Sequence, residues 1–151
     1  MNKQYVFGQL ELERLDEALT LIRNVFYEYE APEYSDEGVE EFMRFLTLEN
    51  YRDMIKQDKI HFWTCENNGK TIGVLGARFD RINLLFVNGH YHRKGIARRL
   101  LEMMIEHFNP AEITVNSSPY AVEAYRKLGF IITDTEKTKN GIRFTPMKRI
   151  L

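Results

Sequence analysis

The chain has 151 residues, of which 44% are hydrophobic and 28% charged, so its length and composition fit a single globular domain over residues 1–151 and exclude wholesale disorder. Its 21 basic and 22 acidic residues give a formal net charge of −1, which provides no general attraction to nucleic acid or to a membrane surface. The single cysteine, Cys65, excludes an internal disulfide, and no apolar run reaches the roughly 18 residues that a membrane span needs. We therefore expect a cytoplasmic monomer or homodimer with no nucleic-acid or membrane partner.

The N-terminal third of the chain predicts one strand followed by helices. Residues 4–10 are short and apolar-rich, as in a strand. From Leu12 to Tyr29 apolar residues recur every three or four positions, which predicts a helix that ends before Pro32. Ser35 is placed to cap a second helix, and residues 50–58 predict one or two further helical turns.

The middle of the chain predicts three consecutive strands. Residues 59–66 and 71–79 are rich in β-forming side chains and are joined by Asn67-Asn68-Gly69-Lys70, a hairpin signal. Residues 82–87 are apolar without alternation, which predicts a strand that is buried at the centre of the sheet.

The C-terminal half alternates between helices and strands. The predicted elements are a helix over 96–108, a strand over 111–116, a helix opened by Ser118 and Pro119 and closed by Gly129, a strand over 130–135, a turn over 139–141 and a strand over 142–147. The order is β-α-α-β-β-β-α-β-α-β-β. It predicts an α/β domain with a mixed sheet, in which residues 82–87 and 111–116 run parallel.

The segment from residue 85 to 101 is the strongest candidate for an anion site. A strand ends there and a helix begins at Gly95, where unpaired backbone N–H groups and the helix dipole favour a phosphate. Gly95 lets a phosphate approach the main chain, and Arg93, Lys94 and Arg98 add positive charge. The competing interpretation is a basic helix start in solvent. The glycine spacing excludes a Walker loop and the dinucleotide-binding fingerprint.

Two motifs in this part of the chain resemble the GCN5-related N-acetyltransferase (GNAT) family. The sequence His92-Arg93-Lys94-Gly95-Ile96-Ala97 is similar to the Q/R-x-x-G-x-G/A signature of that family, with His92 in place of the usual Gln or Arg. Residues 113–130, ITVNSSPYAVEAYRKLGF, are similar to its strand with a terminal Asn followed by A-x-x-x-Y-x-x-x-G-F. Both motifs lie in the family's order, so the resemblance covers nearly the whole chain.

The resemblance implies an acetyl-CoA-dependent N-acetyltransferase and a set of residues that would bind acetyl-CoA. Leu85, Phe86 and Val87 would bond the pantetheine arm through their main chain, as an added strand does. The pyrophosphate would be held by His92, Arg93, Lys94, Gly95, Ile96, Ala97 and Arg98. Asn116 would bind the pantetheine arm, and Lys127 or Arg126 would meet the 3′-phosphate. Because free histidine titrates near ~6.5, His92 is expected to make acetyl-CoA affinity depend on pH.

The resemblance also implies direct attack of an amine on the thioester, with Tyr125 as the general acid at the leaving sulfur. The base is left open by the sequence. Glu28 and Glu30, near the end of the first long helix, are candidates for a base or for acceptor binding. Asp80 and His61 are further candidates, and a chain of water molecules is the remaining alternative.

The acceptor is expected to be an amine on a small molecule or peptide. Between residues 24 and 43 there are seven acidic side chains and no Lys or Arg, with tyrosines interleaved. These residues form either a solvated helix face or an acidic, aromatic rim that attracts a cationic amine. His90 and His92 lack a third ligand, so no metal is expected.

Two other functions remain open at this point. The same fold can serve as a non-catalytic module that binds or senses CoA or an acyl-CoA, and it can use a longer acyl donor. Asn116 and Tyr125 favour an enzyme over a sensor.

Overall fold

In the computed structural model, which describes residues 4–151, the predicted strands and helices occur in the predicted order. Residues 1–3, where the predicted single domain begins, lie outside the described part. Every helix within residues 4–151 is too short or too polar to cross a bilayer.

The N-terminal elements are strand β1 and three helices, at β1 Tyr5–Gln9, α1 Leu15–Val25, α2 Asp36–Phe45 and α3 Leu48–Lys56. Ser35 caps α2 as predicted, since its hydroxyl accepts a hydrogen bond from the Gly38 N–H at 3.2 Å. Helix α3 accounts for the helical turns predicted over residues 50–58.

Helix α1 does not stop at Val25 but widens into a π-helical turn over Phe26–Glu30, in which the Ala31 N–H bonds the Phe26 carbonyl. The helix predicted to end near Tyr29 therefore reaches the expected residue with a different final turn. Phe26 is fully buried and stacks on Phe42 of α2 at 4.0 Å, which fixes the turn to the core.

The central strands are β2 His61–Asn67, β3 Lys70–Arg78 and β4 Arg81–Val87. Asn68 and Gly69 both have positive φ, as the predicted hairpin requires. Gly73 allows β3 to approach Ile96 closely, because a Cβ at residue 73 would lie 2.9 Å from the Ile96 side chain.

The C-terminal elements are α4 Ile96–Phe108, β5 Glu112–Ser117, α5 Val122–Lys127, β6 Ile131–Ile132, β7 Lys137–Lys139 and β8 Ile142–Ile150. Ser118 makes the predicted capping bond, since its hydroxyl accepts from the Ala121 N–H at 3.2 Å, but Pro119 does not open the helix, because a turn precedes α5 and the helix begins only at Val122. The strand predicted over 130–135 is shortened, since Asp134 accepts from the Thr135 N–H and ends the pairing.

The eight strands form one mixed sheet in the order β1-β2-β3-β4-β5-β8-β6, with β7 paired to β8. Strands β4 and β5 run parallel, as predicted, but they pair only at Arg81 with Thr114 and at Ile82 with Val115. Beyond Ile82 the two strands separate, and the sheet opens into a gap.

Helices cover both faces of this sheet. Helices α4 and α5 pack on one face, and α1, α2 and α3 pack on the other. Strand β4 lies at the centre of the sheet, but the prediction of continuous burial was wrong: Ile82, Leu84 and Phe86 are buried, whereas Asn83 is exposed and Leu85 half-buried. Asn83 and Leu85 remain accessible because β5 has separated from β4, and both residues line the resulting gap.

The N-terminal turn of α2 touches the β7–β8 hairpin through two glycines. A Cβ on Gly38 would collide with the main-chain carbonyl of Gly141, and Gly141 itself has φ +81°. We expect Gly38→Ala to lower the free energy of unfolding by about 1–3 kcal/mol, because neither backbone can move aside cheaply. Urea denaturation measures this change.

Gly8→Ala in β1 is the matched control, since no atom lies within 4 Å of the added Cβ. The control should change the free energy of unfolding by no more than about 0.5 kcal/mol. Equal stability of the two variants would mean that the contact between α2 and the hairpin is loose.

Candidate active site

A cleft of about 600 Å³ lies in the gap between β4 and β5. Its inner end is formed by Glu30, Asn116, Ser118 and Tyr125, and its outer end by α2 and the β7–β8 hairpin. The cleft therefore joins the C-terminal ends of two parallel strands to a separate outer wall, which is an arrangement able to hold two substrates side by side.

Tyr125 lies on α5 at the inner end of the cleft and is 7% exposed. Burial raises the pKa of the Tyr125 hydroxyl above the ordinary tyrosine value, and the Glu30 carboxylate adds to the rise. The hydroxyl is therefore protonated at neutral pH and can donate a hydrogen bond. This is the state that a donor to a leaving sulfur must have.

Glu30, the last residue of the π-helical turn, lines the same end of the cleft. Burial raises the pKa of its carboxyl to about 7, Glu33 adds to the rise, and a hydrogen bond with Ser118 opposes it. A carboxylate that titrates near neutral pH is suited to accept a proton from an amine.

The structure separates Glu30 from the other candidate bases. Glu28 is exposed and lines a second groove of about 400 Å³ on the α1 side, beside Asn88 and His90. His61 contacts Asp58 at 3.0 Å, and neither His61 nor Asp80 lines the cleft. Of the four predicted side chains, Glu30 alone lies with Tyr125.

The edge of β4 that faces the cleft carries the main chain of Leu85, Phe86 and Val87. With β5 diverged, this edge can accept an extended ligand arm. The Val87 carbonyl is already bonded, because His92 Nε2 donates to it at 2.8 Å. His92 thus ties the loop after β4 back to the strand, a role that the sequence did not indicate.

The loop after β4 ends at the start of α4. Gly95 has φ +82°, which favours glycine, and the position of its missing Cβ is open space. Arg93 and Lys94 are exposed beside it, and Ile96 anchors the helix in the core. Helix α4 is 13 residues long and starts with unpaired N–H groups, so this turn can receive a diphosphate.

The remaining predicted cofactor residues lie around this helix start. Arg98 donates to the Lys127 carbonyl at 3.1 Å and so joins α4 to α5. Arg126 is paired with Glu123 at 3.0 Å, whereas Ala97 is half-buried next to Ile96. Asn116 lies deeper, on the wall of the cleft.

The acidic segment does not form a continuous rim. Of its seven acidic side chains, Glu30 and Glu41 line the cleft, and Glu28 lines the second groove. Glu41 contacts Arg44 at 3.0 Å and Asn140 at 3.4 Å, and Lys139 lines the same end. Of these seven acidic side chains, Glu30 and Glu41 are therefore the two placed to contact a cation inside the cleft.

Sequence reasoning did not place Ser118 in the cleft, where it lines the inner end. Ser118 was predicted only as a helix cap, Tyr29 only as one of the tyrosines of the acidic segment, and Tyr120 was not singled out. The Tyr29 and Tyr120 rings stack at 5.1 Å across the ends of β4 and β5. The helical periodicity that includes Tyr29 gives no sign of this contact, because Tyr120 lies in a tight turn far away in the sequence.

Two further observations concern side chains outside the cleft. Within residues 4–151, no three His, Cys, Asp or Glu side chains are grouped as they would be around a metal ion. Burial raises the pKa of the Cys65 thiol to about 11, so this side chain is a packed core residue at neutral pH.

Comparison with known proteins identifies the family. The family sequence model of the acetyltransferase (GNAT) domain matches residues 30–151, so the chain belongs to the GNAT acetyltransferase family. A curated relative, the UPF0157 protein YqkA of Bacillus subtilis strain 168, is 35% identical over 83 residues. That match takes in 50% of this chain and 24% of the relative, so the chain spans about a quarter of that protein.

Solved structures share the whole fold. The PaiA N-acetyltransferase of Thermoplasma acidophilum, solved with coenzyme A, superposes with a TM-score of 0.82 at 19% identity and covers 98% of this chain and 99% of its own. A GCN5-related N-acetyltransferase of Rhodopseudomonas palustris gives a TM-score of 0.82 at 18% identity, covering 100% and 99%. At 18–19% identity these structures show a shared fold and nothing more.

Proposed function

We propose that this protein transfers the acetyl group of acetyl-CoA to a primary amine of a small molecule or peptide by direct attack in a ternary complex. The observation that carries the proposal is the meeting of Glu30 and Tyr125 at the inner end of a cleft between two separated parallel strands. One group there can accept a proton from the amine and the other can donate to the sulfur.

The residues present fit acetyl-CoA. Gly95 leaves open space at the N-terminus of α4 for the diphosphate, with Arg93 and Lys94 beside it. The main chain of residues 85–87 offers the edge of β4 to the pantetheine arm, next to Asn116. The CoA found in the Thermoplasma PaiA structure supports this choice of donor.

Acetyl-CoA supplies an activated acyl carbon with a thiolate leaving group. The amine nitrogen forms a bond to that carbon as the carbon–sulfur bond breaks. Over the whole reaction an ammonium loses two protons: one ends on the CoA sulfur, and the other passes through the Glu30 carboxylate to solvent. At pH 7 only about one lysine-like amine in a few thousand is neutral, a deficit of about 4–5 kcal/mol that Glu30 helps to overcome.

Tyr125 stabilises the departing sulfur by donating its hydroxyl proton in a hydrogen bond. A thiol with pKa ~8.5 is a stronger acid than a tyrosine with pKa ~10, so complete proton transfer is not required. Burial raises the pKa of Tyr125 further, which strengthens this conclusion.

We expect Tyr125→Phe to lower kcat by about 10- to 100-fold with little change in acetyl-CoA affinity, since the phenyl ring keeps the packing and loses only the donor. Steady-state rates of thiol release measure kcat, and calorimetry measures the affinity. An unchanged kcat would restrict Tyr125 to a core role.

Thiol release from acetyl-CoA that requires both the protein and an added amine tests the function itself. Transfer to at least one amine supports the proposal. Tight binding of acetyl-CoA without thiol release for any amine of a broad panel would favour the non-catalytic CoA-binding module. Faster thiol release from longer acyl-CoAs would identify a longer acyl-CoA as the donor.

A further inference from the structure

Three aromatic rings from three segments meet at the ends of β4 and β5, beside the second groove, which Tyr29 lines. Tyr29, at the end of the π-helical turn, stacks on Tyr120 at 5.1 Å and packs on the His92 ring at 5.2 Å. His92 lies in the loop after β4, and Tyr120 lies in the turn after β5. These three residues, here called the ring bridge, therefore connect the ends of the two strands whose separation creates the cleft.

The Tyr29 side chain fits closely against Gly89, His92 and Tyr120, and this position is here called its seat. The Tyr29 hydroxyl lies where a Cβ on residue 89 would be, so any side chain larger than that of Gly89 would collide with it. The backbone at Gly89 does not require glycine, because its φ is not among the positive values in the chain. The close approach of Tyr29 is thus the reason that glycine fits at this position.

Tyr29 and Glu30 are consecutive residues of a helix turn that is unusual. π-helical turns are rare, occur mostly as single turns and are frequent at functional sites, and this one is held by packing on two sides. On one side that packing is Phe26, fully buried in the core. On the other side it is Tyr29 in the ring bridge, and the next residue, Glu30, faces Ser118 and Tyr125.

The surroundings of the Glu30 carboxyl come from several elements. The polar and charged groups that face it are Ser118, Tyr125, Tyr34 and Glu33, and Lys139 lines the outer end of the same cleft. Tyr120 of the ring bridge is also within electrostatic reach of Glu30: burial raises the pKa of the Tyr120 hydroxyl, and the Glu30 charge adds to the rise. The ring bridge closes the turn from the side of the loops after β4 and β5.

We propose that Tyr29 is a positioning residue for Glu30: its seat between Gly89, His92 and Tyr120 holds the π-helical turn so that the Glu30 carboxyl stays inside the cleft beside Tyr125. The inference rests on the proposed function, in which Glu30 is the base. Without this seat, the turn relaxes and the carboxyl moves towards water.

The test is the pH dependence of kcat/KM for an amine acceptor in Tyr29→Ala, Tyr29→Phe and Tyr27→Ala. We expect Tyr29→Ala to lower kcat by about 10- to 100-fold and to move the acidic limb of the profile from about 7 towards the ordinary glutamate value of about 4.3, because water then reaches Glu30. Tyr29→Phe keeps the ring and should stay within about 3-fold of the wild type. Tyr27, 51% exposed in the same turn, provides the matched control, and Tyr27→Ala should change neither quantity.

A second variant guards against a fold defect in Tyr29→Ala. Gly89→Ala pushes on the Tyr29 hydroxyl from the opposite side and should shift the acidic limb in the same direction. A lower kcat with an unmoved acidic limb in both variants would overturn the inference, and so would a change confined to acetyl-CoA affinity. Glu30→Gln in the wild-type background separates the two proposals. If this variant keeps the acidic limb of the pH profile, Glu30 is not the base and the proposed mechanism fails. If Glu30→Gln loses the acidic limb but Tyr29→Ala does not shift it, only the positioning role of Tyr29 fails.

Discussion

Replacing Glu30 by glutamine is expected to lower kcat/KM for the amine by about 10²- to 10⁴-fold, the usual contribution of a positioned base. Glutamine keeps the size of the side chain and removes the proton acceptor. In the wild type, the rate should rise with pH through about 7 as the carboxyl ionises. In Glu30→Gln this limb should vanish, leaving only the ionisation of the amine. Steady-state rates between about pH 5.5 and 9 measure the difference.

Glu28→Gln is the matched control for this substitution. Glu28 lies two residues earlier in the same π-helical turn, is exposed and lines the second groove. Its loss should leave the rate and the pH profile unchanged, and acetyl-CoA affinity should stay constant in both variants. Equal effects of the two substitutions would show that charge in this turn, rather than a base at Glu30, controls the rate.

Glu30→Gln should also change the stability of the folded protein. A carboxyl whose pKa is raised in the folded state keeps its proton while the unfolded chain ionises, so folding loses stability as pH rises from about 4.3 through about 7. Glu30→Gln removes this loss. The variant should therefore melt higher than the wild type by a few °C at about pH 8, with a margin that disappears near pH 4.5. A carboxylate that is solvated in the free protein would give no margin at either pH.

Gly95→Glu is expected to weaken acetyl-CoA binding by at least about 100-fold. The new carboxylate would enter the open space at the start of α4, where it would meet a diphosphate of the same sign. Repulsion of this kind over a few ångströms is worth about 3 kcal/mol at partial solvent screening, which corresponds to that factor. Calorimetric dissociation constants for the variant and the wild type give the ratio.

Backbone strain must be separated from charge in this comparison. Any non-glycine residue at φ +82° costs roughly 1–2 kcal/mol of stability, so Gly95→Ala should share the loss of stability shown by Gly95→Glu. Only the glutamate should weaken acetyl-CoA binding by about 100-fold or more. If Gly95→Ala and Gly95→Glu weaken acetyl-CoA binding equally, the loop geometry controls binding and the diphosphate does not lie at Gly95.

Most of the fold could be predicted from the sequence because its elements have strong local signals. The apolar spacing of α1 and α4, the cap at Ser35 and the positive-φ residues Asn68 and Gly69 are determined by near neighbours. Short strands were less predictable. Asn140 and Gly141 indicated a turn, yet the three residues of β7 carry no apolar side chain to mark their pairing.

The residues proposed to hold acetyl-CoA could be singled out from the sequence for a similar reason, whereas the choice of base could not. The loop and first turn of α4 are contiguous in sequence, so Gly95 and its basic neighbours appear together. The choice between Glu28 and Glu30 depends on a single π-helical turn, which directs residues two apart into different grooves. An ordinary helical periodicity contains no sign of that turn.

Calorimetric titration of the wild-type protein with acetyl-CoA is the most direct test, because it needs no knowledge of the amine. We expect one molecule of acetyl-CoA to bind per chain with a micromolar-range dissociation constant, and adding an amine that is a substrate should then release free thiol. The absence of binding at millimolar acetyl-CoA would contradict the central claim, since the cleft and the start of α4 would then serve some purpose other than acetyl transfer.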